Sequence, residues 1–140
     1  MRFLMVMHSK LTFEYTKITP HIYIGTNMCC LTHFKKTLLK EGITADISLE
    51  GERIDAPFGV DYYIWLPTKN HHAPSQKQLR LGVHMLDFCV KQKINIYVHC
   101  ERGHGRAPSL VAAYLAAQKN MTVIEAIAFI KRKRPKYSPK

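Results

Sequence analysis

His99, Cys100 and Arg106 are the residues of this chain best spaced to do chemistry together. They lie in INIYVHCERGHGRAPS, residues 94–109. Ile94, Ile96, Tyr97 and Val98 run up to His99-Cys100, Gly103 and Gly105 break the pattern, and an Ala/Leu-rich segment opens at Ala107. This order predicts a strand, a glycine loop and a helix. Glycines let successive backbone N–H groups turn inward, and the helix start adds unpaired N–H groups and the positive end of its dipole. Such a cradle binds a dianion. Cys100 stands at its start, where that field favours thiolate over thiol and so makes a nucleophile. Arg106 closes the loop with a planar guanidinium that grips two phosphoryl oxygens at once. In a chain with 21 Lys and Arg and four Cys the Cys-to-Arg spacing alone is weak. Together with His99, the glycines, the strand and the helix it favours phosphate chemistry over a buried structural cysteine.

At these positions the chain resembles the small cysteine-dependent dual-specificity protein phosphatases of the protein tyrosine phosphatase superfamily. Their signature is His-Cys, five residues, then Arg: here His99, Cys100, Glu101, Arg102, Gly103, His104, Gly105 and Arg106. The Ile22-Tyr23-Ile24-Gly25 strand, the helix ending Glu41-Gly42-Ile43-Thr44, the loop leading to Ala73-Pro74 and the Arg134-Pro135 close are similar too. The resemblance implies phosphomonoester hydrolysis through a phosphocysteine, with Cys100 as nucleophile, the residues from Glu101 to Arg106 on the phosphate, and His99 shaping the loop. An Asp on a neighbouring loop would protonate the leaving oxygen and then activate water, with no cofactor and no metal. Two departures stand out. Asn70 occupies the place expected for that Asp, and an amide cannot give up that proton. The remaining carboxylates are poor substitutes: Asp61 opens a strand, Asp87 lies on the preceding helix, and Glu101 is expected to point outward. Ala107 replaces the Ser or Thr that most relatives carry after the Arg, and Arg-Ala-Pro is similar to the phosphatases of regenerating liver. The expectation is a phosphatase that is slow or trapped at the phosphocysteine. Its rivals are a phosphate-binding pseudophosphatase and a phosphoinositide- or RNA-directed phosphatase. A laboratory exchange that put Asn70 in place of an original Asp would leave the same sequence. A rhodanese-like sulfurtransferase also uses a Cys on a strand-to-helix loop, but the spacing and glycines fit phosphate better.

The elements that must position these residues are legible around them. Thr12 to Thr19 and His21 to Thr26 predict short strands separated by Pro20, and Thr32 to Glu41 a short amphipathic helix stopped by Gly42. Ala45 to Leu49 and Tyr62 to Leu66 predict strands, the second ended by Pro67, before the loop Thr68 to Pro74. Ser75 with Gln78, and Thr122 with Glu125, predict capping boxes opening helices over Gln76 to Gln92 and from Thr122 through about Lys131. The helix after Arg106 is apolar almost all round and is expected to be central. Near-continuous apolar strands suit a sheet covered on both faces. The fold class is therefore α/β: a single domain, 1–140, with a mixed, mostly parallel sheet flanked by helices and the loop at a strand's carboxyl end.

Composition bounds the rest. At 140 residues and 46% hydrophobic content the chain supports one core and no second domain. The opening MRFLMVM is too short for a signal sequence or a membrane span. The four Cys show no disulfide framework and the eight His no ligand spacing, so neither disulfide nor metal is expected and the location is expected to be cytoplasmic. A net charge of +11 points to an anionic partner: a phosphorylated protein or another phosphomonoester, an anionic membrane surface, or RNA. The basic tail Lys131 to Lys140 is expected to be a solvated helix terminus.

Overall fold

Strand propensity and helix caps place a five-stranded sheet between two helical layers in the computed structural model, which describes residues 11–139. MRFLMVM and Lys140 lie outside those residues. The strands are β1 (Tyr15–Lys17), β2 (Ile22–Gly25), β3 (Ile43–Glu50), β4 (Tyr62–Thr68) and β5 (Asn95–His99). The helices are α1 (Lys36–Lys40), α2 (Gln76–Lys91), α3 (Arg106–Gln118) and α4 (Val123–Lys133), with a 3₁₀ turn at Asn27–Cys29. The sheet order is β1-β2-β5-β3-β4, parallel except for the antiparallel β1 edge.

Alternation along the strands divides the core. Ile22, Ile24, Ile96 and Val98 join Ala45, Ile47 and Leu49 on one face, beneath Leu86 of α2, Leu110 and Val111 of α3 and Ile130 of α4. Tyr23 and Tyr97 point the other way, against Cys29, Cys30, Phe34 and Leu38. The period-2 pattern thus sends Tyr97 and His99 to the second face, where Asp46 also lies, since Asp46 is the register partner of Tyr97.

Both capping boxes form, Ser75 with Gln78 and Thr122 with Glu125. Nearly all of the first half of α3 is buried, as its apolar composition requires. Three expectations shift. The first helix shrinks to Lys36–Lys40, because the N–H groups of Phe34 and Lys35 are taken by the carbonyls of Phe58 and Cys29. Pro67 does not end β4, which runs on to Thr68. β4 is an edge strand whose register to β3 shifts between Ser48 and Glu50, so a residue without an N–H is tolerated there. Cys29 and Cys30 are joined as a disulfide, which their adjacency had not suggested.

Candidate active site

β5 delivers Cys100 to the end of a central strand, and the loop that follows is pinned from behind. The carbonyl of Glu101 accepts from the Asn27 N–H at 3.0 Å. That of Arg102 accepts from Arg134 Nη2 at 2.9 Å, and that of Gly103 from Arg134 Nε at 2.7 Å. His104 accepts from the Ser138 N–H and Gly105 from the Ser109 N–H. Five successive carbonyls are thus held on the outer side, and a planar peptide that turns its C=O out turns its N–H in. The outcome is an inward-facing set of donors at the N-terminus of α3. Cys100 is 3% exposed, and the Ala107 N–H donates to its Sγ at 3.5 Å, so the backbone of the helix start touches the sulfur where the hydroxyl is missing.

Gly103 has φ +71°, and a Cβ there would lie 2.6 Å from the Gly25 carbonyl oxygen, so the loop's back presses on β2. The missing side chain serves closure, while the Gly103 N–H belongs to the inward set. A cavity of about 210 Å³ opens over Cys100 and is lined by Glu101, Arg102, His104, Gly105 and Arg106, with Asn70 and His71 from across the mouth. Burial, together with Arg134, Lys136 and Arg102, holds His104 below the ordinary imidazole pKa, against the opposing pull of Glu14, and so favours its neutral form. Asn70 lines the cavity, and its Oδ1 accepts from the His71 N–H at 3.0 Å. His71 itself sits at φ +66°.

Arg106 is 3% exposed and oriented by a residue the sequence did not single out. Its Nη1 and Nη2 donate to Glu52 Oε1 and Oε2 at 2.6 and 3.0 Å, and Nη1 also donates to the Thr68 carbonyl at 2.8 Å. A guanidinium has five N–H donors, so these three bonds leave Nε–H and one Nη2–H, which lie parallel on one edge. That edge is a bidentate fork for phosphoryl oxygens. Burial pushes the Glu52 carboxyl up, but the Arg106 hydrogen bond and charge outweigh it and hold it below the usual range.

Behind the cradle His99 is wholly buried. Its Nε2 lies 3.3 and 3.2 Å from Asp46 Oδ2 and Oδ1 and 3.6 Å from Asp55 Oδ2. Burial disfavours the imidazolium, yet the Asp46 charge and hydrogen bond prevail and raise the His99 pKa. The expectation that Cys and His show no ligand grouping needs correcting, because the fold gathers Cys29, Cys30, Asp46 and His99 with donor atoms within 4.8 Å of one another. The basic tail is also misjudged in part. Arg134 is 4% exposed and, besides its two loop carbonyls, donates to Thr16 Oγ1 and both oxygens of Glu14. Glu52, Asp46, Asp55 and Arg134 escaped the sequence reading because each reaches the site from another element. The Arg-Pro of the resemblance was the one available signal.

The catalytic-domain profile of the dual specificity phosphatases matches residues 22–140. Human dual specificity protein phosphatase 5 is 30% identical over 127 residues, covering 88% of this chain and 32% of its own length. The chain thus spans about a third of that curated relative. The structure of human DUSP28 superposes with a TM-score of 0.79 at 16% identity, covering 89% of this chain and 87% of that one. PTPMT1 superposes at 0.75 with 26% identity, covering 91% and 87%. PTPMT1 has also been solved in complex with PI(5)P, where the TM-score is 0.74 at 23% identity, covering 90% and 86%.

Proposed function

The chain belongs to the dual specificity phosphatase family, and from that premise we propose that it is a cysteine-dependent phosphomonoester hydrolase of the protein-tyrosine/serine/threonine type. Cys100 attacks phosphorus, the P–O bond to the leaving group breaks, and a phosphocysteine forms that water then hydrolyses. The inward N–H groups and the free edge of Arg106 hold the phosphoryl oxygens as charge develops on them. His99 and Arg134 position the loop without touching substrate. The observation that supports this most is the outward tie of all five loop carbonyls beside a nearly buried cysteine, an arrangement a merely structural cysteine would not need.

Asn70 faces the cavity but has no proton to give. Every leaving oxygen therefore departs without a proton from this position, which a good leaving group such as an aryl oxide tolerates and an alkyl oxide does not, so turnover is slow on alkyl phosphates. A second reading, a phosphoinositide phosphatase, draws support from the charge of Arg102 at the cavity mouth, with His104 beside it as a neutral hydrogen-bonding group, and from the PTPMT1 complex with PI(5)P. The +11 charge also suits an anionic membrane surface or RNA near the substrate. Among the described residues no helix is long and apolar enough to cross a membrane. We infer a cytoplasmic location, where Cys89 and Cys100 stay reduced and the Cys29–Cys30 bridge would be held open as well. The deciding experiment compares p-nitrophenyl phosphate turnover by the chain and by Cys100→Ser, with vanadate binding measured in parallel. Turnover should vanish and binding persist; undiminished hydrolysis removes Cys100 from the reaction.

A further inference from the structure

Phosphoryl transfer uses His99 only to position the loop and gives no part to the rest of the buried group on the far side of the sheet from α3, where Cys29, Cys30 and Asp46 converge on it. All four residues are fully buried, at 0% exposure. His99 Nε2 stands at the centre. Both Asp46 oxygens lie within 3.3 Å of it, Asp55 Oδ2 is at 3.6 Å and Cys30 Sγ at 3.8 Å. One ring nitrogen carries at most one hydrogen, so it cannot satisfy these four atoms. Asp46 Oδ1 and Asp55 Oδ2 are in fact left buried with no hydrogen-bond partner. Buried carboxylate oxygens without a partner are costly, and a cation among them removes that cost.

We propose that the reduced pair Cys29 and Cys30, with Asp46 and His99 Nε2, is a structural metal site for a zinc-class divalent cation. Two sulfurs, one imidazole nitrogen and one carboxylate oxygen are a closed tetrahedral donor set that zinc prefers. With bonds of about 2.0–2.3 Å, the corners of such a tetrahedron lie about 3.2–3.8 Å apart. The four donor atoms already fall within 4.8 Å of one another, so side-chain rotation of Cys29 and Cys30 closes the remainder. Asp55, oriented by Arg53 Nη2 at 2.9 Å, stands beside the ligand set as its outer partner. Loading requires the Cys29–Cys30 disulfide to be reduced: two electrons and two protons from a dithiol give two thiols, whose protons leave as the cation binds. The ion lies behind the cradle and takes no part in the reaction. Its effect is on architecture, because it joins the turn after β2, strand β3 and the residue that precedes Cys100.

The test is cobalt binding to the full chain, reduced with a dithiol and then freed of it under nitrogen, so that the thiolates present are the protein's own. One Co²⁺ per chain is expected, with the intense near-ultraviolet absorption of thiolate-to-cobalt charge transfer, displaced by Zn²⁺. Cys29→Ser, Cys30→Ser and Asp46→Asn should each weaken binding at least tenfold, and the Cys29→Ser variant should lose about half of the charge-transfer intensity. Because those variants could fail to fold, the same titration is run on Cys89→Ser/Cys100→Ser, in which Cys29 and Cys30 are the remaining sulfurs of cysteine. The full thiolate band in that variant assigns the site without disturbing it. Stoichiometric cobalt with no thiolate band, a band lost in Cys89→Ser/Cys100→Ser, or no cobalt bound by the reduced, folded chain overturns the proposal.

Discussion

Replacing Arg134 tests whether the pocket is built by its surroundings or by its own loop. The side chain is 4% exposed and donates five hydrogen bonds, two of them to the loop carbonyls of Arg102 and Gly103. In Arg134→Ala the buried Gly103 carbonyl is orphaned, at about 1–3 kcal/mol. The Arg102 carbonyl and Glu14 are exposed enough to find water, so their losses are discounted to about 1 kcal/mol together. A total of about 2–4 kcal/mol is the expected loss in urea unfolding. The sharper readout is vanadate affinity of the folded protein. Two of five ties are gone, the inward N–H groups are no longer held in advance, and affinity should fall about 10–100-fold, equivalent to ~1.4–2.7 kcal/mol of lost preorganisation. Arg134→Lys, which keeps the charge but cannot serve two carbonyls and a carboxylate together, should fall nearly as far in affinity while losing less stability. A variant that is less stable yet binds vanadate as the parent does would reduce Arg134 to a packing residue and refute the reasoning.

Glu52→Gln should lower kcat/KM on p-nitrophenyl phosphate by about tenfold, the worth of one charge-assisted hydrogen bond on Arg106, and kinetics equal to the parent would remove Glu52 from the site. Because the folded Glu52 pKa is depressed, its contribution to stability is full above the unfolded carboxylate value and is lost as pH falls through the lower folded value. Acid unfolding of Glu52→Gln should lack that component. Asn70→Asp should raise turnover and do so far more for phosphoserine than for the aryl ester, by up to about 10²–10⁴-fold. If the two substrates respond alike, proton delivery lies elsewhere, and His71, on the same cavity wall, is the residue to replace. Gly103→Ala should destabilise by well over about 1 kcal/mol, since its φ and its contact with Gly25 both exclude a side chain, and a neutral result in thermal unfolding would contradict the loop packing.

The strand, loop and helix around Cys100 were legible because everything that defines them is local: β-branched residues, two glycines and an apolar helix within about 25 positions. The capping boxes were legible for the same reason, each being a three-residue relation. What could not be read is whatever depends on two distant segments meeting. Glu52 looked like one charge in a polar connection until β3 and β4 brought it to Arg106. Asp46 lies in an apolar strand and declares nothing until alternation sends it to the face of His99. Pro67 misled because the rule that prolines end strands fails at an open edge, and edge status is a property of the sheet.

The cradle divides its own positions into two kinds. At Gly103 and Arg106 backbone closure and the Glu52 fork leave no latitude. At Glu101, Arg102 and His104 the side chains face the mouth while only their carbonyls are used for anchoring, and any residue supplies a carbonyl. Chemistry and selectivity are therefore separable within six residues. Descendants of this chain could exchange the three mouth residues, reversing charge or adding bulk, and change which phosphate is accepted without renegotiating how phosphate is held. Libraries randomised at 101, 102 and 104 alone are the natural place to look for altered substrate preference in a still-folded protein.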